Sequence, residues 1–492
     1  MNVIKLEFSL KQITPMIHFQ NENGATIRAT ELKPKLDRFI LLWMAYENNK
    51  VKCNEQKIDS ETEILKKIVK EKDYDNWIID EKHIALNYKM RIKATCKDEN
   101  KDLLNHSNKR QKYLGNANYI LDNRNKDEED KYVSTFSKKI LVKIICFDEL
   151  LADKIIELLP ILIDLTAFGL QQSKGYGNFR VDEIFKENKK QQYKPDIERN
   201  YIKLLKNFNT INNNVLVYKL ELDKEKNDKI NADYAVALNA IAEYNRFLKS
   251  GLRLDGIYIP SVIMKKYFKQ NGYNIINEKK AMKQKLHLAK YNIENLTHHD
   301  NKKIINNYDF SDSGKIYYTR GLLGFAQLYQ FSLCIKKNHD KFDIIPRYKN
   351  GKEKKAFWKV FDVKGKIGKE EISRFPSPLH YHVSENYKEI YIIVNNNSLI
   401  SLQNENPIIT FKEKYAKEEK QRKTYKKDKK EQVEYVQFTA KLPDTKKFDF
   451  ESFFKVAGLD TILFMANVKN KFNEIYEGEY FLTKLEDNQN ER

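Results

Sequence analysis

The stretch GLQQSKGYGNFRV, residues 169–181, holds three of the 16 glycines of a 492-residue chain. It follows a run of helical periodicity that ends at Ile163, and it leads into the alternating run 178–185. Glycine adopts backbone conformations that other residues avoid, and it lets neighbouring backbone come close. The stretch therefore predicts a tight turn between a helix and a strand.

Two interpretations of this turn are open. It is neither a Walker loop, because no Lys-Ser/Thr pair follows the last glycine, nor a dinucleotide fingerprint, because helix precedes strand. Bare amides at the glycines, the charge of Lys174 and the ring of Tyr176 could meet a phosphate and a base. Alternatively, Gly169 caps the helix while Gly175 and Gly177 make the turn into the strand, with no ligand.

The elements before the turn alternate between strand and helix. Residues 2–10 predict a strand, and a helix with Thr30 as N-cap follows. The runs 84–95 and 138–147 predict two more strands, and Asp148 is placed to cap the next helix. The buried stripe of that helix is expected to be Leu150, Leu151, Ile155, Ile156, Leu159 and Ile163. This order is typical of a βαββαβ, ferredoxin-like unit.

A second unit that begins with a strand follows. The run 214–223 predicts a strand, and a helix that ends at Gly251 comes after it. We therefore predict an α+β fold with two ferredoxin-like (RRM-like) domains in tandem and long insertions. The predicted bounds are a first domain 1–190 with an insertion 97–132, a linker 191–213, and a second domain 214–492 with a helical insertion and a charged loop 405–432.

The charge balance favours a polyanionic partner. Lysine and arginine number 89 against 69 acidic residues, which leaves a formal charge of +20. Nucleic acid is the first candidate partner and a membrane surface the second. The competing explanation is a basic scaffold whose lysine content reflects an AT-rich genome, since the chain is rich in Lys, Asn and Ile. The charged run 412–431 is expected to be solvated.

Cysteine and histidine give no support for a metal site or a cofactor. The four cysteines form no CxxC pair, so a reducing cytoplasm is expected, without a zinc ribbon or a disulfide framework. The histidine pairs 298/299 and 380/382 have no acidic or cysteine partners at ligand spacing. The apolar stretches are broken by charges, so no membrane span is expected either.

Placed after the second helix of such a unit, the loop GLQQSKGYGNF resembles the glycine-rich signature of the RAMP superfamily of CRISPR proteins. The stretch ITPMIHFQNENGATIRATELKPKLDRFI, residues 13–40, resembles the first subunit of the type III-B (Cmr) effector complex. Pro34 stands where that family usually has a glycine, and Asp37 intervenes before a basic position. The matching residues are Thr14, Pro15, Arg28, Thr30, Lys33 and Arg38.

The second half adds two short matches, residues 317–327 and 373–383, in the same order as in that subunit. The resemblance implies a non-catalytic, cytoplasmic cap of a multi-subunit effector complex, in contact with guide RNA, target RNA and other RAMP subunits. It implies neither cofactor nor metal. The expected RNA contacts are Arg28, Lys33, Arg38, Gly169, Lys174, Gly175, Tyr176, Gly177, Arg320 and Arg374.

A catalytic alternative stays open at this stage. Some RAMP proteins are metal-independent endoribonucleases that process guide precursors, which needs a general base and a cation near the phosphorane. His18, in the loop after the first strand, and Lys33 are the residues that could serve. A histidine without a recognisable partner in the sequence is more often a loop or half-buried residue than a base.

Overall fold

The computed structural model divides the chain into two compact units. One comprises Met1–Asn245, Leu379–Asn396 and Gly458–Arg492, and the other Arg246–Pro378 and Asn397–Ala457. The residues described are 3–17, 27–48, 53–54, 57–58, 61–71, 74, 76–96, 134–135, 137–212, 215–222, 234–254, 257–259, 261–268, 271–272, 317–325, 328–338, 341–345, 356–367, 370–372, 375–395, 408–414, 437–443, 448–459, 466–469, 475–478 and 480–485.

The chain combines helices with antiparallel sheets, which confirms the α+β class. The helices are α1 (Ala29–Glu47), α2 (Glu61–Glu71), α3 (Glu149–Leu165), α4 (Ile197–Asn212), α5 (Tyr234–Lys249) and α6 (Phe450–Leu459). The strands of the first half are β1 (Ile4–Gln12), β2 (Met16–Ile17), β3 (Cys53–Asn54), β4 (Lys57–Ile58), β5 (Ile78–Asp80), β6 (Ala85–Leu86), β7 (Tyr88–Cys96), β8 (Ser134–Thr135), β9 (Ser137–Cys146), β10 (Phe179–Lys186) and β11 (Lys189–Lys190).

The strands of the second half build the remaining sheets. They are β12 (Val215–Leu222), β13 (Leu252–Leu254), β14 (Ile257–Ile259), β15 (Leu328–Asn338), β16 (Lys341–Ile345), β17 (Ala356–Ile367), β18 (Glu370–Ile372), β19 (Leu379–Val383), β20 (Glu389–Asn395), β21 (Ile408–Lys414), β22 (Gln437–Lys441), β23 (Ala466–Lys469), β24 (Ile475–Gly478) and β25 (Tyr480–Lys484). No helix among the described residues is long and apolar enough to span a bilayer.

The first sheet has the strand order β11-β10-β1-β9-β7 with antiparallel neighbours. Alternate residues of its central strand β1, Leu6, Phe8 and Leu10, are buried in one apolar core with residues of α1 and α3. Burying such a face is what makes the alternation in the sequence informative. Along the chain the elements run β1, α1, β7, β9, α3, β10, as the sequence predicts.

A second sheet of the same unit has the order β19-β20-β12-β25, again antiparallel. Both sheets have the same order when their strands are counted along the chain. In the second sheet, β12, β19, β20 and β25 take the places that β1, β7, β9 and β10 have in the first. Helix α5 follows β12 in the chain and α6 lies between β20 and β25. The other unit contains a sheet with the path β16-β15-β17-β21-β22, with β18 paired to β17.

Helix α3 shows how the sequence signals translate into structure. The side chain of Asp148 accepts a hydrogen bond from the Leu151 amide at 2.8 Å, as expected for an N-cap. Most of the predicted stripe is buried, but Leu150 is 70% exposed. Helical periodicity places Leu150 off the stripe that Leu151, Ile155 and Leu159 form, so it lies away from the core. Helix α1 begins at Ala29 with Arg28 as N-cap, two residues before the predicted cap at Thr30.

Several predicted segments differ from the structure. The expected linker 191–213 contains α4, because Ile197, Tyr201 and Leu205 form an apolar stripe that packs on the second sheet. The expected charged loop 405–432 includes the strand β21. Burial of its Ile409 and Phe411 stabilises this strand despite the charged residues beside them. Most of the run 412–431 and the insertion 97–132 lie outside the described residues. The domain boundaries stay a prediction, since both sheets fall in one compact unit.

A buried polar cluster joins elements of the two sheets. Asp164 of α3 accepts a hydrogen bond from the Asn200 side chain at 2.6 Å, and the Nε of Arg180 lies 3.8 Å from its other oxygen. Burial raises the pKa of Asp164 to about 6, against the opposing charge of Arg180. His382 of β19 is also buried, and desolvation, with a smaller contribution from His380, lowers its pKa to about 3.

These two groups are expected to give opposing pH dependences of stability. Between about pH 4 and 6, folding favours protonated Asp164, so its contribution weakens as pH rises, while neutral His382 gains. In Asp164→Asn the free energy of unfolding should therefore rise more steeply with pH in this range. Urea denaturation at several pH values measures the slope. Asp182→Asn, which removes an exposed carboxylate from the same strand as Arg180, is the control for the change of charge.

Candidate nucleic-acid interface

The glycine-rich turn has a left-handed backbone at four positions. The φ angles are +82° at Gly169, +61° at Gln171, +82° at Gly175 and +72° at Gly177. A Cβ at Gly177 would lie 1.9 Å from the carbonyl oxygen of Phe168, which no packing adjustment of a side chain can relieve. The turn therefore requires glycine for its own folding, as the interpretation without a ligand expects.

Thr14 ties this turn to the end of β1. Its hydroxyl donates to the carbonyl of Gly175 at 2.7 Å and accepts from the amide of Asn178 at 2.9 Å. The amide of Gly177 donates to the carbonyl of Pro15 at 2.9 Å. Thr14 has no solvent exposure, so both partners of its hydroxyl are protein atoms. Thr14 and Gly175 are 161 positions apart in the chain. The Thr-Pro pair and the glycine turn nevertheless act as one structural unit.

The turn also contacts the second sheet. The side-chain oxygen of Asn178 accepts a hydrogen bond from the amide of Val383, in β19, at 3.2 Å. On the helical side, a Cβ at Gly175 would lie 2.5 Å from a methyl carbon of Ile241 in α5. Gly175 is thus buried against helix α5. The carbonyl of Gly175 accepts a hydrogen bond from Thr14 and its amide donates one to the carbonyl of Gln172.

Tyr176 lies in the interior. Only 6% of it is exposed, and burial raises the pKa of its phenol. The ring of Tyr176 is covered by protein in this structure, and the expected stacking contact stays a prediction. Its neighbour Lys174 is half-buried and closes the short 3-10 turn Gln172–Lys174. The lysine, rather than the tyrosine, is the member of this pair that reaches solvent.

Lys33 has an intramolecular role. Its ammonium donates to Asp37 at 2.7 Å and to the carbonyl of Leu86 at 3.0 Å, and it lies 4.1 Å from the centre of the Tyr88 ring. Asp37 is buried, and desolvation raises its pKa even though Lys33 opposes the shift. Removing Lys33 would leave a buried carboxylate without its cation. The charge of Lys33 thus stabilises α1 against β6 and β7, and the expected RNA contact at Lys33 stays a prediction.

Lys35, which is not among the RNA contacts predicted from the sequence, lies near the turn. Its ammonium lies 4.6 Å from the centre of the Phe168 ring, next to Gly169, and it also pairs with Glu31 at 3.3 Å. Burial and the charge of Lys35 lower the pKa of His380 on β19. In the sequence a lysine stands on each side of Pro34, but this spacing does not indicate which of the two lies near the turn.

The remaining predicted contacts are placed as follows. Arg28 is half-exposed at the start of α1, and Arg38 is exposed on the same helix. Arg320 belongs to the other unit, in the 3-10 turn Thr319–Leu323, with its guanidinium 5.9 Å from the centre of the Tyr318 ring. Arg374 and His18 lie outside the described residues. The structure thus groups the turn with Thr14, Lys35 and Lys174.

The histidines of β19 face different surroundings from those of a metal site. His382 is buried and His380 half-buried on the same strand. In the described part of the chain, no cluster of three or more histidine, cysteine or carboxylate side chains could hold a metal ion. The pair His298 and His299 falls among the residues that are not described.

Comparison with known families decides the assignment. The model of the Cmr1 N-terminal domain matches residues 3–252, and that of the Cmr1 C-terminal domain matches residues 258–477. The chain belongs to the Cmr1 family. It is accordingly a CRISPR-associated protein of the type III-B class, as the resemblance in the first half indicates. No curated protein sequence matches it.

Solved structures resemble this Cmr1-family chain only distantly. The crystal structure of Cmr1 from Pyrococcus furiosus in the apo form is 13% identical, over 50% of this chain and 73% of that one, with a TM-score of 0.31. A cryo-EM structure of the type III-B Cmr-beta bound to cognate target RNA is 10% identical, over 37% and 60%, with a TM-score of 0.18. The assignment depends on the family models.

Thr14→Val should destabilise the protein by about 1–3 kcal/mol, because the Gly175 carbonyl and the Asn178 amide lose a buried partner. Urea denaturation measures the free energy of unfolding. Thr14→Ser keeps the hydroxyl and should recover most of the loss. If valine and serine behave alike, the hydroxyl has no bridging role.

Gly177→Ala is expected to cost more than the 1–3 kcal/mol typical of backbone strain, since the new Cβ also overlaps the Phe168 carbonyl. Gly272→Ala is the matched control, because Gly272 has φ +77° with no atom within 4 Å of an added Cβ. Thermal unfolding compares the two variants with the parent. A smaller loss at Gly177 than at Gly272 would contradict the close approach.

Proposed function

We propose that this protein is a non-catalytic RNA-binding subunit of a type III-B CRISPR effector complex, built from two ferredoxin-like units. The family assignment over residues 3–252 and 258–477 is the observation that carries the proposal. The strand orders β10-β1-β9-β7 and β25-β12-β20-β19 support the two units, since both follow the antiparallel pattern of a βαββαβ fold. Guide RNA, target RNA and neighbouring RAMP subunits are its proposed partners, in the cytoplasm.

The cations near the glycine turn support an RNA-facing role for this edge. Lys35 and Lys174 belong to α1 and to the turn itself, and Arg28 begins α1. A rigid turn that is fixed by backbone hydrogen bonds can hold such side chains in place with little loss of entropy on binding. The glycines then serve RNA binding indirectly, because they shape the support on which the cations stand.

The endoribonuclease alternative has less support. Catalysis without a metal needs a cation free to stabilise the phosphorane, and Lys33 is held by Asp37 and the Leu86 carbonyl. A direct test incubates the protein with repeat RNA in EDTA. Site-specific cleavage that disappears in His18→Ala would establish the nuclease and overturn the proposed non-catalytic role.

The double variant Lys35→Ala/Lys174→Ala should weaken RNA capture while the protein stays folded. Its expected effect is a loss of binding of about 1–2 kcal/mol, because two phosphate contacts are removed. The control Lys66→Ala/Lys70→Ala removes the same charge from exposed positions on α2. Fluorescence anisotropy with a labelled guide RNA measures binding. Equal affinity in both double variants would remove the turn from the interface.

The proposed place in a complex has its own test. The protein is expected to co-purify with guide RNA and other RAMP subunits when it is tagged in its native host. Purified alone, it should bind RNA with an affinity that falls steeply as salt rises, since counterions are released from each phosphate contact. Binding that is insensitive to salt would favour the basic scaffold without a nucleic-acid role.

A further inference from the structure

Among the described residues, one face of the first sheet packs against helices and the other carries exposed side chains. In β1 the core residues alternate with exposed or half-exposed ones, and Lys5 and Lys11 are among the exposed residues. The same alternation holds in β9, where Ile140, Val142 and Ile144 are buried while Lys139, Lys143 and Ile145 are exposed. Because side chains of a strand alternate between faces, these residues share the face opposite α1 and α3.

The edge strand β7 adds three cations to this open face. Lys89, Arg91 and Lys93 are all exposed. The register places Lys89 beside Ile145 and Arg91 beside Lys143 on the neighbouring strand. Basic side chains thus lie next to one another both along β7 and across to β9. We call Lys89, Arg91, Lys93, Lys139 and Lys143 the β7–β9 basic face.

Among the described residues, the cations of this face differ in whether they have an acidic partner. Glu7 of β1 pairs with Lys143 at 2.7 Å, which accounts for one of its cations. Lys89, Arg91 and Lys93 make no hydrogen bond or ion pair with any residue that the structure describes. Three neighbouring like charges repel one another, and an anion bound between them would relieve that repulsion.

The arrangement of the face matches a linear polyanion. Residues i, i+2 and i+4 of a strand lie about 6.8 Å apart in succession, a separation comparable with that of successive phosphates in an extended nucleotide strand. Ile145, 39% exposed, lies between cations of β7 and β1 and offers an apolar surface to a base or sugar. A positive surface with apolar contacts is the chemistry that holds single-stranded nucleic acid.

We propose that the β7–β9 basic face is a second RNA-binding surface of this protein, which binds the phosphates of single-stranded RNA without reading its sequence. This inference rests on the proposed RNA-binding function but concerns another site than the glycine turn. Lys89, Arg91 and Lys93 follow the RNA backbone. Lys139 and Lys143 of β9 lie on the same face, with Lys143 paired to Glu7.

The test replaces the three β7 cations. Lys89→Gln/Arg91→Gln/Lys93→Gln is compared with Lys66→Gln/Lys70→Gln/Arg199→Gln, which removes the same residue types from exposed positions on α2 and α4. The probe is fluorescein-labelled oligouridine, with anisotropy recorded at several salt concentrations. The slope of log K against log salt should fall by about 2 in the β7 variant, because each lost phosphate contact removes about 0.7. The control should keep the parental slope.

The outcomes separate this inference from the proposed function. If the parent binds oligouridine and the β7 variant keeps both its affinity and its salt slope, the inference is wrong while RNA binding stands. If the parent binds neither oligouridine nor guide RNA, the proposed function fails as well. Unchanged RNA binding with new self-association in the β7 variant would mean that these charges only protect an edge strand. Binding of the parent to anionic lipid vesicles but not to RNA would assign the face to a membrane surface.

Discussion

The hydroxyl of Thr14, held between the Gly175 carbonyl and the Asn178 amide, is the interaction on which the arrangement of the first unit depends. It fixes the end of β1 against the turn that leads into β10. Asn178 then accepts a hydrogen bond from Val383, so the same turn is fixed to the second sheet. A turn with left-handed backbone at four positions is costly unless its surroundings hold it in place. Here the hydrogen bonds to Thr14 and Pro15 supply that constraint.

The polar cluster around Asp164 restricts the packing of this unit in another way. A buried carboxylate and a buried neutral histidine are both unfavourable in isolation, since each loses hydration. Arg180 and Asn200 compensate Asp164 from β10 and α4. Asp164 keeps its hydrogen bond to Asn200 and its ion pair with Arg180 only in one arrangement of the elements that carry them. The cluster therefore favours a unique packing of α3 and α4 near β19.

Much of the fold was predictable because it follows local rules. Alternation predicts β1, β9 and β10, and Asp148 predicts the start of α3. The helix α4 was missed because its many polar residues outweigh its apolar stripe when the segment is read without its partner sheet. The position of the glycine turn was predictable from the sequence, but the surroundings of its side chains were not. Sequence spacing located the glycine turn, yet it could not tell that Tyr176 is covered or that Lys33 is engaged.

The amino-acid sequence by itself determined the α+β class, the order of elements around the glycine turn and the net positive charge, because periodicity, glycine placement and composition are local properties. Only the tertiary structure decided which cations reach solvent. Lys33 and Lys35 differ by two positions, but one neutralises the buried Asp37 and the other lies over Phe168. Likewise, the basic face of β7 and β9 exists only because antiparallel pairing aligns lysines that are some 50 residues apart in the chain.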